Sequence, residues 1–437
     1  MLEEFLHNFL HNLFKPLLLF FYMGFAVPIL KVPFAFPKQL YQGLTIYLLI
    51  AIGWHGGEEL ASLSQAGFLE AGGLMVIGFI TNTIIGIVAY QFLKYGTTLR
   101  RIDAATVAGF YGSDSAGTFV TCLGVLTAAN LAYAAYMPVM LAVMEIPGCL
   151  VALFLVSQLR RSGMDALGNM PWEEGYIRPA LATPSPATTL SEAEEEGELV
   201  HSGVQTAEYQ MAGHGGSTAT VTVGQGGGHR ETAGSHNYDQ HHDHGQGHAH
   251  GVGPAEEGGI FNKAMLHEVF LNPGLYLLFG GILIGFIGRL QGAAVTKVDD
   301  SLFVTLFHGM LCLFLLEMGM TACQRLRDLK TAGWRFIVFG LLAPNIFATF
   351  GMTVLHLYSM SLGRPFDIGT YALFAVLCGA ASYIAVPAVQ RLAIPEASPT
   401  LPLAASLGLT FSYNVTIGIP VYLLVAKVIM TSFPVGA

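Results

Sequence analysis

The stretch FYGSDSAGTFVT, residues 110–121, places polar and small side chains inside a long apolar segment. It holds Gly112, Asp114 and several hydroxyl residues where the flanking sequence is typical of a membrane helix. Non-helical backbone at membrane depth is tolerated only where it lines a cavity that protein encloses. The stretch therefore predicts a helix that is interrupted inside a membrane, with a polar site at the interruption.

The composition indicates a helical membrane protein. Apolar residues make up 53% of the 437 residues and charged residues 11%, whereas soluble domains carry about 25% charged residues. Many apolar runs reach the roughly 20 residues that span a bilayer. We predict an all-α membrane protein whose ten transmembrane spans are 10–31, 38–55, 69–94, 102–127, 131–158, 273–291, 301–320, 333–358, 366–391 and 401–432.

Residues 160–262 separate the two sets of five predicted spans and are too polar for a membrane. They are rich in Gly, Ser, Glu and His and include HHDHGQGHAH at 241–250. Such segments bury too little surface to offset chain entropy, so we predict a mostly disordered linker between membrane repeats at 1–159 and 263–437. Histidine tracts bind divalent transition metals in general. The alternative interpretation is a soluble, flexible tract with fortuitous metal affinity.

Positive charges near the span ends predict the orientation, because Lys and Arg are more frequent in cytoplasmic loops. The side that carries the linker holds Lys31, Lys38, Lys94, Arg100, Arg101, Arg160, Arg161, Arg325, Arg327, Lys330, Arg335 and Arg391. The opposite side holds Lys15, Arg289, Lys297, Arg364 and Lys427. We therefore expect a cytoplasmic linker and both termini outside the cell.

The two halves share short motifs in the same order and at similar spacing. The aligned pairs are Gly53 with Gly319, Gly112 with Gly379, Ser115 with Ser382, and Ile146–Pro147 with Ile419–Pro420. Each half has an odd number of spans, so the second half must enter from the opposite face. The pattern predicts two inverted five-helix repeats, an arrangement common among secondary transporters.

The fourth and ninth predicted spans carry matching polar stretches at 112–118 and 379–387, so we expect both helices to be broken there. A broken helix offers free N–H groups and the positive end of its dipole, which suit a small anion. Ser115 and Ser382 would add hydroxyl donors from equivalent positions, and Thr118 a third. The alternative is that these small and hydroxyl residues only let helices pack closely.

Polar residues within spans are candidates for ion coupling. Asp114, Asn414 and Thr416 offer the oxygen ligands that sodium prefers. Asp114 has an alternative interpretation as a cap of the restarting helix. Glu145 has a structural alternative as a cap or pairing group, and Glu317 could lie near a span end and be partly solvated.

The remaining polar residues and the cysteines have structural interpretations. We expect Asn82 and Asn345 to form interhelical hydrogen bonds. The five cysteines form no CxxC pair and are expected to pack as small apolar residues. The sequence shows no set of nucleophile and base, so an enzyme is disfavoured. A divalent-metal carrier is disfavoured because the predicted spans lack clusters of His, Asp or Cys.

A resemblance to a known family rests on five segments in combination. They are AATVAGFYGSDSAGTFVT at 104–121, MEIPG at 144–148, LEMGM at 316–320, GAASYIAVPAVQRLAIPEASP at 379–399 and FSYNVTIGIPVY at 411–422. Together they resemble the sodium-dependent bicarbonate transporter family first described in cyanobacteria. The resemblance implies ten spans in inverted repeats, a homotrimer in the bacterial plasma membrane, and bicarbonate uptake driven by sodium. It also implies that a small PII-like signalling protein can dock on the cytoplasmic face.

The resemblance implies a substrate site at both breaks. We assign substrate binding to Gly112, Ser113, Ser115, Thr118, Ala381, Ser382 and Tyr383, and sodium binding to Asp114, Asn414 and Thr416. The sequence departs from the family at 379–383, where GAASY replaces a run of serines followed by Asp. Two alternatives therefore stay open: a sodium- or proton-coupled carrier of another small anion, or a cation antiporter of similar architecture.

Overall fold

The computed structural model describes residues 14–178, 273–331 and 333–435, and within these ranges all regular structure is helical. The predicted linker from residue 179 onward, including the histidine tract, lies outside the described residues. The first half contains α1 (Pro16–Leu30), α2 (Lys38–Ala61), α3 (Gln65–Gly96), α4 (Arg101–Tyr111), α5 (Ala116–Ala128) and α6 (Met137–Arg161). The second half contains α7 (Pro273–Gln291), α8 (Ala293–Leu329), α9 (Trp334–Leu362), α10 (Ile368–Gly379), α11 (Ala385–Ala393) and α12 (Leu401–Ser432).

Among the described residues, six helices are long and apolar enough to cross a membrane by length and composition: α3, α6, α7, α8, α9 and α12. Helices α1 and α10 are apolar but shorter. Helices α4 and α5 are short because the chain leaves the helix between them, and the same holds for α10 and α11. Helix α2 is long enough but carries polar and charged residues at both ends. The chain is therefore a membrane protein whose described residues fold as helices.

The apolar surface of α3 fits a membrane environment. Leu69, Val76 and Ile80 expose between half and three quarters of their surface, and all lie on this helix. Soluble monomers rarely expose a continuous apolar face of this kind. The polar residues of α3, in contrast, include the fully buried Asn82. The outward face of the helix is thus apolar, whereas Asn82 lies in the protein interior.

Several helices are irregular near the middle of the bundle. Helix α6 consists of Met137–Met144 and Ile146–Arg161, joined at Glu145. Pro147 explains the joint, because proline lacks the N–H that an uninterrupted helix needs. Helix α12 includes the π-helical segments Ala404–Phe411 and Asn414–Gly418. π-Helical turns are frequent at functional sites.

Glycines allow two helix pairs to pack with their backbones in contact. Helix α2 packs on α7, where a Cβ on Gly53 would lie 2.9 Å from the Cα of Gly281. Helix α1 packs on α8, where a Cβ on Gly24 would overlap the carbonyl oxygen of Leu316 and one on Gly319 would overlap that of Phe21. Small residues at such crossings are typical of membrane helices, because association there depends on close packing.

The loop after α6, residues 162–178, is organised by one carboxylate. Asp165 accepts hydrogen bonds from the backbone N–H groups of Leu167 at 3.0 Å, Asn169 at 2.7 Å and Ile177 at 2.7 Å. Burial by itself raises the pKa of Asp165, but the N–H donors favour the ionised form and hold the pKa below its ordinary value. The first part of the predicted linker is therefore a hydrogen-bonded loop.

This loop is connected to both halves of the protein. Arg100, just before α4, pairs with Asp103 at 2.8 Å and donates to the carbonyl oxygen of Leu167 at 3.0 Å. Arg160, near the end of α6, donates to both carboxylate oxygens of Glu396, at 3.0 and 2.8 Å. Glu396 follows α11 in the second half. Bidentate arginine pairs are among the stronger and more directional ion pairs. Arg100 also donates to the carbonyl oxygen of Glu396 at 3.3 Å, so the start of α4 and the end of α6 are both fixed to the segment after α11.

Candidate functional site

The first break lies between α4 and α5, at residues 112–115. Gly112 ends α4 against α3, where a Cβ would lie 2.9 Å from the Cα of Gly86. Ser115 is the N-cap of α5, and its Oγ accepts hydrogen bonds from the backbone N of Thr118 at 3.3 Å and from its Oγ1 at 3.0 Å. The N terminus of α5 is thus fixed inside the protein, with its N–H groups directed towards the break.

The second break lies between α10 and α11, at residues 380–384, and it meets the first. The backbone N–H of Ser382 donates to the carbonyl oxygen of Phe110 at 2.8 Å. The Ser382 Oγ accepts a long hydrogen bond from the backbone N of Val386 at 3.5 Å, near the start of α11. The structure therefore brings together the two stretches that the sequence aligns.

Tyr383 closes the space between the two breaks. Its hydroxyl oxygen lies so close to Gly117 that a Cβ on that glycine would overlap it. The hydroxyl is also near the Ser115 Oγ and the backbone of Gly117, although neither contact has the geometry of a hydrogen bond. A phenol oxygen therefore occupies the position that faces the N terminus of α5.

Asp114 is fully buried in the first break, and neither of its carboxylate oxygens has a hydrogen-bond donor among the described residues. The helix cap is supplied by Ser115, so Asp114 does not perform that role here. The Asp114 carboxylate interacts electrostatically with Glu145, whose backbone oxygen accepts from the Ser113 Oγ at 2.7 Å. A buried ionised carboxylate without donors is strongly destabilising unless a bound cation or a proton neutralises it.

Asn82 of α3 adds a further unpaired oxygen near this break. Its Nδ2 donates to the carbonyl oxygens of Met144 at 3.0 Å and Leu377 at 3.3 Å, as the sequence predicts for an interhelical hydrogen-bond former. Its Oδ1 is buried and has no donor within the described ranges. The sequence does not predict a ligand role for this oxygen. Whether the oxygen finds a hydrogen-bond donor depends on how α3, α6 and α10 pack around it.

Asn414 and Thr416 lie on the π-helical part of α12, and Asn414 contacts the end of α10 beside the second break. The Asn414 Nδ2 donates to the carbonyl oxygen of Gly379 at 3.0 Å, and its Oδ1 accepts from the Tyr422 hydroxyl at 2.6 Å. The Thr416 Oγ1 donates to the carbonyl oxygen of Ser412 at 2.7 Å. Both side chains are thus engaged in hydrogen bonds, whereas the oxygens of Asp114 are not.

Two cavities lie on opposite sides of the breaks, with a constriction between them. A cavity of about 700 Å³ lies at the end that carries Lys38 and Arg325 and reaches Tyr383. A cavity of about 300 Å³ lies at the end that carries His55 and His308. Between them is a constriction of about 10 Å³, lined by Thr45, Leu48, Leu49, Ile52, Ala116, Gly117, Val120, Phe314 and Ile384. The constriction begins at the N terminus of α5.

These features define a class of protein: a helical membrane protein with two broken helices that meet between opposed cavities. The chain belongs to the Na+-dependent bicarbonate transporter superfamily, whose sequence model matches residues 16–427. None of the curated proteins compared with the chain matches it. The chain is therefore a member of a transporter family, not of an enzyme family, and the family name indicates dependence on sodium.

Proposed function

We propose that the protein is a secondary active transporter that carries bicarbonate into the cell by symport with sodium. The observation that carries the proposal is the meeting of the two breaks through Ser382 and Phe110, beside the unpaired carboxylate of Asp114. The helix terminus suits an anion, and the carboxylate suits a cation. One site with both properties can link the binding of the two ions.

We propose ten spans in two inverted repeats, with α4 and α5 forming one broken span and α10 and α11 the other. The contacts of aligned glycines support this pairing. Gly53 packs on the sixth proposed span and its aligned partner Gly319 packs on the first. Likewise a Cβ on Gly112 would contact α3, and one on Gly379 would lie 2.7 Å from the carbonyl oxygen of Pro344 in α9. Equivalent residues therefore make equivalent contacts.

The proposed bicarbonate site lies between the two breaks. Ser115, Thr118 and Ser382 supply hydroxyl groups, and the N terminus of α5 supplies backbone N–H groups. Gly112, Ser113, Ala381 and Tyr383 complete the site that we assign. Tyr383 must move away from Gly117 before an anion can reach these donors. A carrier of another small anion remains the second candidate, because Tyr383 narrows this site.

The proposed sodium site centres on Asp114, with the free Oδ1 of Asn82 as an additional ligand. Carboxylate and amide oxygens suit a hard cation, and discontinuous membrane helices hold sodium in other transporters. Asn414 and Thr416 stay in the assignment as ligands. Their present hydrogen bonds would have to exchange for sodium, which makes Asp114 the principal residue.

The cavities support alternating access. The cavity of about 700 Å³ reaches Tyr383, whereas the constriction of about 10 Å³ separates the site from the opposite cavity. Following the charge distribution, we propose that the end with Lys38 and Arg325 is cytoplasmic. The structure then has the geometry of an inward-facing state.

The remaining assignments follow from the family resemblance and the charge pattern. We propose a homotrimer in a bacterial inner membrane, with both termini outside. The proposed parts are a first membrane repeat (1–159), a cytoplasmic linker (160–262) and a second membrane repeat (263–437). A PII-like regulatory protein on the cytoplasmic face is a further proposal.

Uptake of labelled bicarbonate into proteoliposomes tests the function directly. With an inward sodium gradient, we expect accumulation against the bicarbonate gradient, and with potassium in place of sodium we expect none. Liposomes without protein give the background. Sodium-independent uptake, or uptake of a competing anion such as nitrate in preference to bicarbonate, would favour the second candidate.

The serines of the two breaks provide the first mutational prediction. Ser115→Ala and Ser382→Ala should each weaken apparent bicarbonate affinity about tenfold, because a hydrogen bond to a charged group contributes roughly 1.5–3 kcal/mol. Initial uptake rates measured against bicarbonate concentration give the effect. Ser361→Ala, at an exposed position on α9, is the control and should behave as the wild type. Unchanged kinetics in both break variants would refute the site assignment.

The linker provides the second prediction. Deleting residues 185–255 should leave sodium-coupled uptake intact, because this polar segment can bury little apolar surface and the ordered loop at 162–178 is retained. Protein yield in the membrane and initial uptake rate are the measurements. Loss of folded protein after the deletion would show that the linker contributes to the structure.

A further inference from the structure

Glu317 is a carboxylate in the interior of α8 that takes no part in the proposed sodium site. It lines the cavity of about 700 Å³ together with Tyr383. Its Oε1 accepts a hydrogen bond from the Thr321 Oγ1 at 2.7 Å. Its Oε2 is buried, and no donor reaches it within the described part of the chain. An unpaired carboxylate oxygen away from water is unfavourable, so the position favours a positive partner.

The groups around Glu317 offer oxygen atoms but no ion pair. Tyr41 and Tyr383 line the same cavity as the carboxylate. The Tyr383 hydroxyl is itself buried and unpaired among the described residues. Arg325, in the same cavity wall, instead pairs with Asp328 at 3.4 Å, and Lys38 lines the cavity without forming an ion pair with Glu317 among the described residues. The carboxylate is therefore not neutralised by a side chain whose position the structure describes.

We propose that Glu317, Thr321, Tyr41 and Tyr383 form a second site for a sodium ion. The inference rests on the proposed symport function and extends its stoichiometry. One carboxylate that shares a cavity wall with three neutral hydroxyls matches a monovalent cation, whereas calcium and magnesium sites usually use more charged ligands. Because Tyr383 also faces Gly117, a sodium ion at Glu317 would draw its hydroxyl away from the anion site.

The proposal has a measurable electrical consequence. A single sodium ion with each bicarbonate moves no net charge, whereas two sodium ions move one positive charge inwards. A negative potential inside the cell would then accelerate uptake. Binding of sodium at Glu317 and of bicarbonate near Gly117 would favour each other, because both require the same displacement of Tyr383.

Sodium binding to the purified full-length protein tests the site without reference to bicarbonate. We expect about two bound labelled sodium ions per chain for the wild type and about one for Glu317→Gln, with binding to the remaining site unchanged. Thr321→Val removes a hydroxyl but no charge and should weaken one of the two sites several-fold. Glu174→Gln, on an exposed loop residue, is the matched control and should bind as the wild type. If folded Glu317→Gln binds as many sodium ions per chain as the wild type, the proposal is wrong.

Transport under a clamped potential provides the second readout. Wild-type uptake should rise at negative internal potential, with a sodium Hill coefficient between one and two, and Glu317→Gln should lose the response to potential. If Glu317→Gln abolishes a dependence on pH and leaves sodium binding unchanged, the occupant is a proton and the proposal is wrong. If wild-type protein binds two sodium ions but transports no bicarbonate, the proposed function fails and the sodium site stands.

Discussion

Replacing Asp114 with Asn should remove most of the sodium dependence of bicarbonate binding. The Asp114 oxygens are buried and lack donors within the described residues, so the charge has no internal compensation. An anion about 5 Å away would be repelled by roughly 3 kcal/mol at an effective dielectric constant of about 20. A sodium ion on the carboxylate removes this repulsion, which makes anion binding depend on cation binding. Asn keeps the shape and removes the charge.

Bicarbonate binding to purified protein across a sodium titration measures this effect. The wild type should bind bicarbonate about a hundredfold more tightly at saturating sodium, whereas the affinity of Asp114→Asn should change little with sodium, because the repelling charge is gone and only the Glu317 site remains to respond. Asp367→Asn makes the same change at an exposed position and should retain the wild-type response. Equal sodium dependence in all three proteins would show that Asp114 does not couple sodium binding to bicarbonate binding. Asn414 and Thr416 would then be the next candidates.

The same variant should impair uptake against the membrane potential. Moving one negative charge into a compartment that is negative inside requires about 2.3 kcal/mol per 100 mV. Sodium that travels with bicarbonate cancels this charge, and its own gradient then drives accumulation. Asp114→Asn would therefore lose the sodium ion bound at Asp114 and reach a lower accumulation ratio than the wild type. Accumulation ratios at fixed sodium gradients distinguish this loss of coupling from a loss of transport rate.

Local sequence was sufficient to locate the breaks, because several glycine and hydroxyl residues follow one another there, whereas single glycines and prolines elsewhere lie within continuous helices. Helices α4 and α10 end at Tyr111 and Gly379, next to the polar stretches that the sequence marks. The interhelical role of Asn82 is confirmed for the same reason: an amide in an apolar span must find partners. These predictions depend on a few neighbouring residues and on the scarcity of water in the membrane.

The unpaired oxygens could not be predicted in this way. Whether the Oδ1 of Asn82 or the Oε2 of Glu317 finds a donor depends on which helices surround it, and those helices are distant in sequence. The position of Tyr383 over Gly117 likewise follows from the meeting of two breaks. Hydropathy identifies these residues as polar side chains within apolar segments. It does not predict which of their atoms lack a hydrogen-bond partner.

The loop at 162–178 shows a limit of composition as a predictor. The segment from 160 to 262 is polar on average, yet its first part is ordered by the hydrogen bonds of Asp165 and by the contact of Arg100 with Leu167. Such capping interactions need one carboxylate and a suitable turn, and an average over a hundred residues hides them. The helix α6 also extends to Arg161, beyond the predicted start of the linker.

The substitution Gly117→Ala should reduce bicarbonate uptake about a hundredfold or more. The added methyl group would overlap the Tyr383 hydroxyl and lie 3.2 Å from the Phe314 Cε1, so it cannot be accommodated without a shift. It would also cover the N–H groups at the start of α5. Losing two hydrogen bonds to an anion, at roughly 1.5–3 kcal/mol each, predicts an effect of this size.

Initial uptake rate at saturating sodium, normalised to folded protein, measures the Gly117→Ala effect. Gly43→Ala is the matched control, because a Cβ on that helical glycine would meet nothing within 4 Å, and its rate should equal that of the wild type. In the double variant Gly117→Ala with Tyr383→Phe, the methyl group no longer meets a hydroxyl, and we expect partial recovery if the overlap is the cause. A single variant that transports at the wild-type rate would show that the anion does not approach the start of α5. A single variant that is inactive and not rescued by Tyr383→Phe would instead place the damage in the α5 N terminus itself, since only the overlap depends on the phenol oxygen.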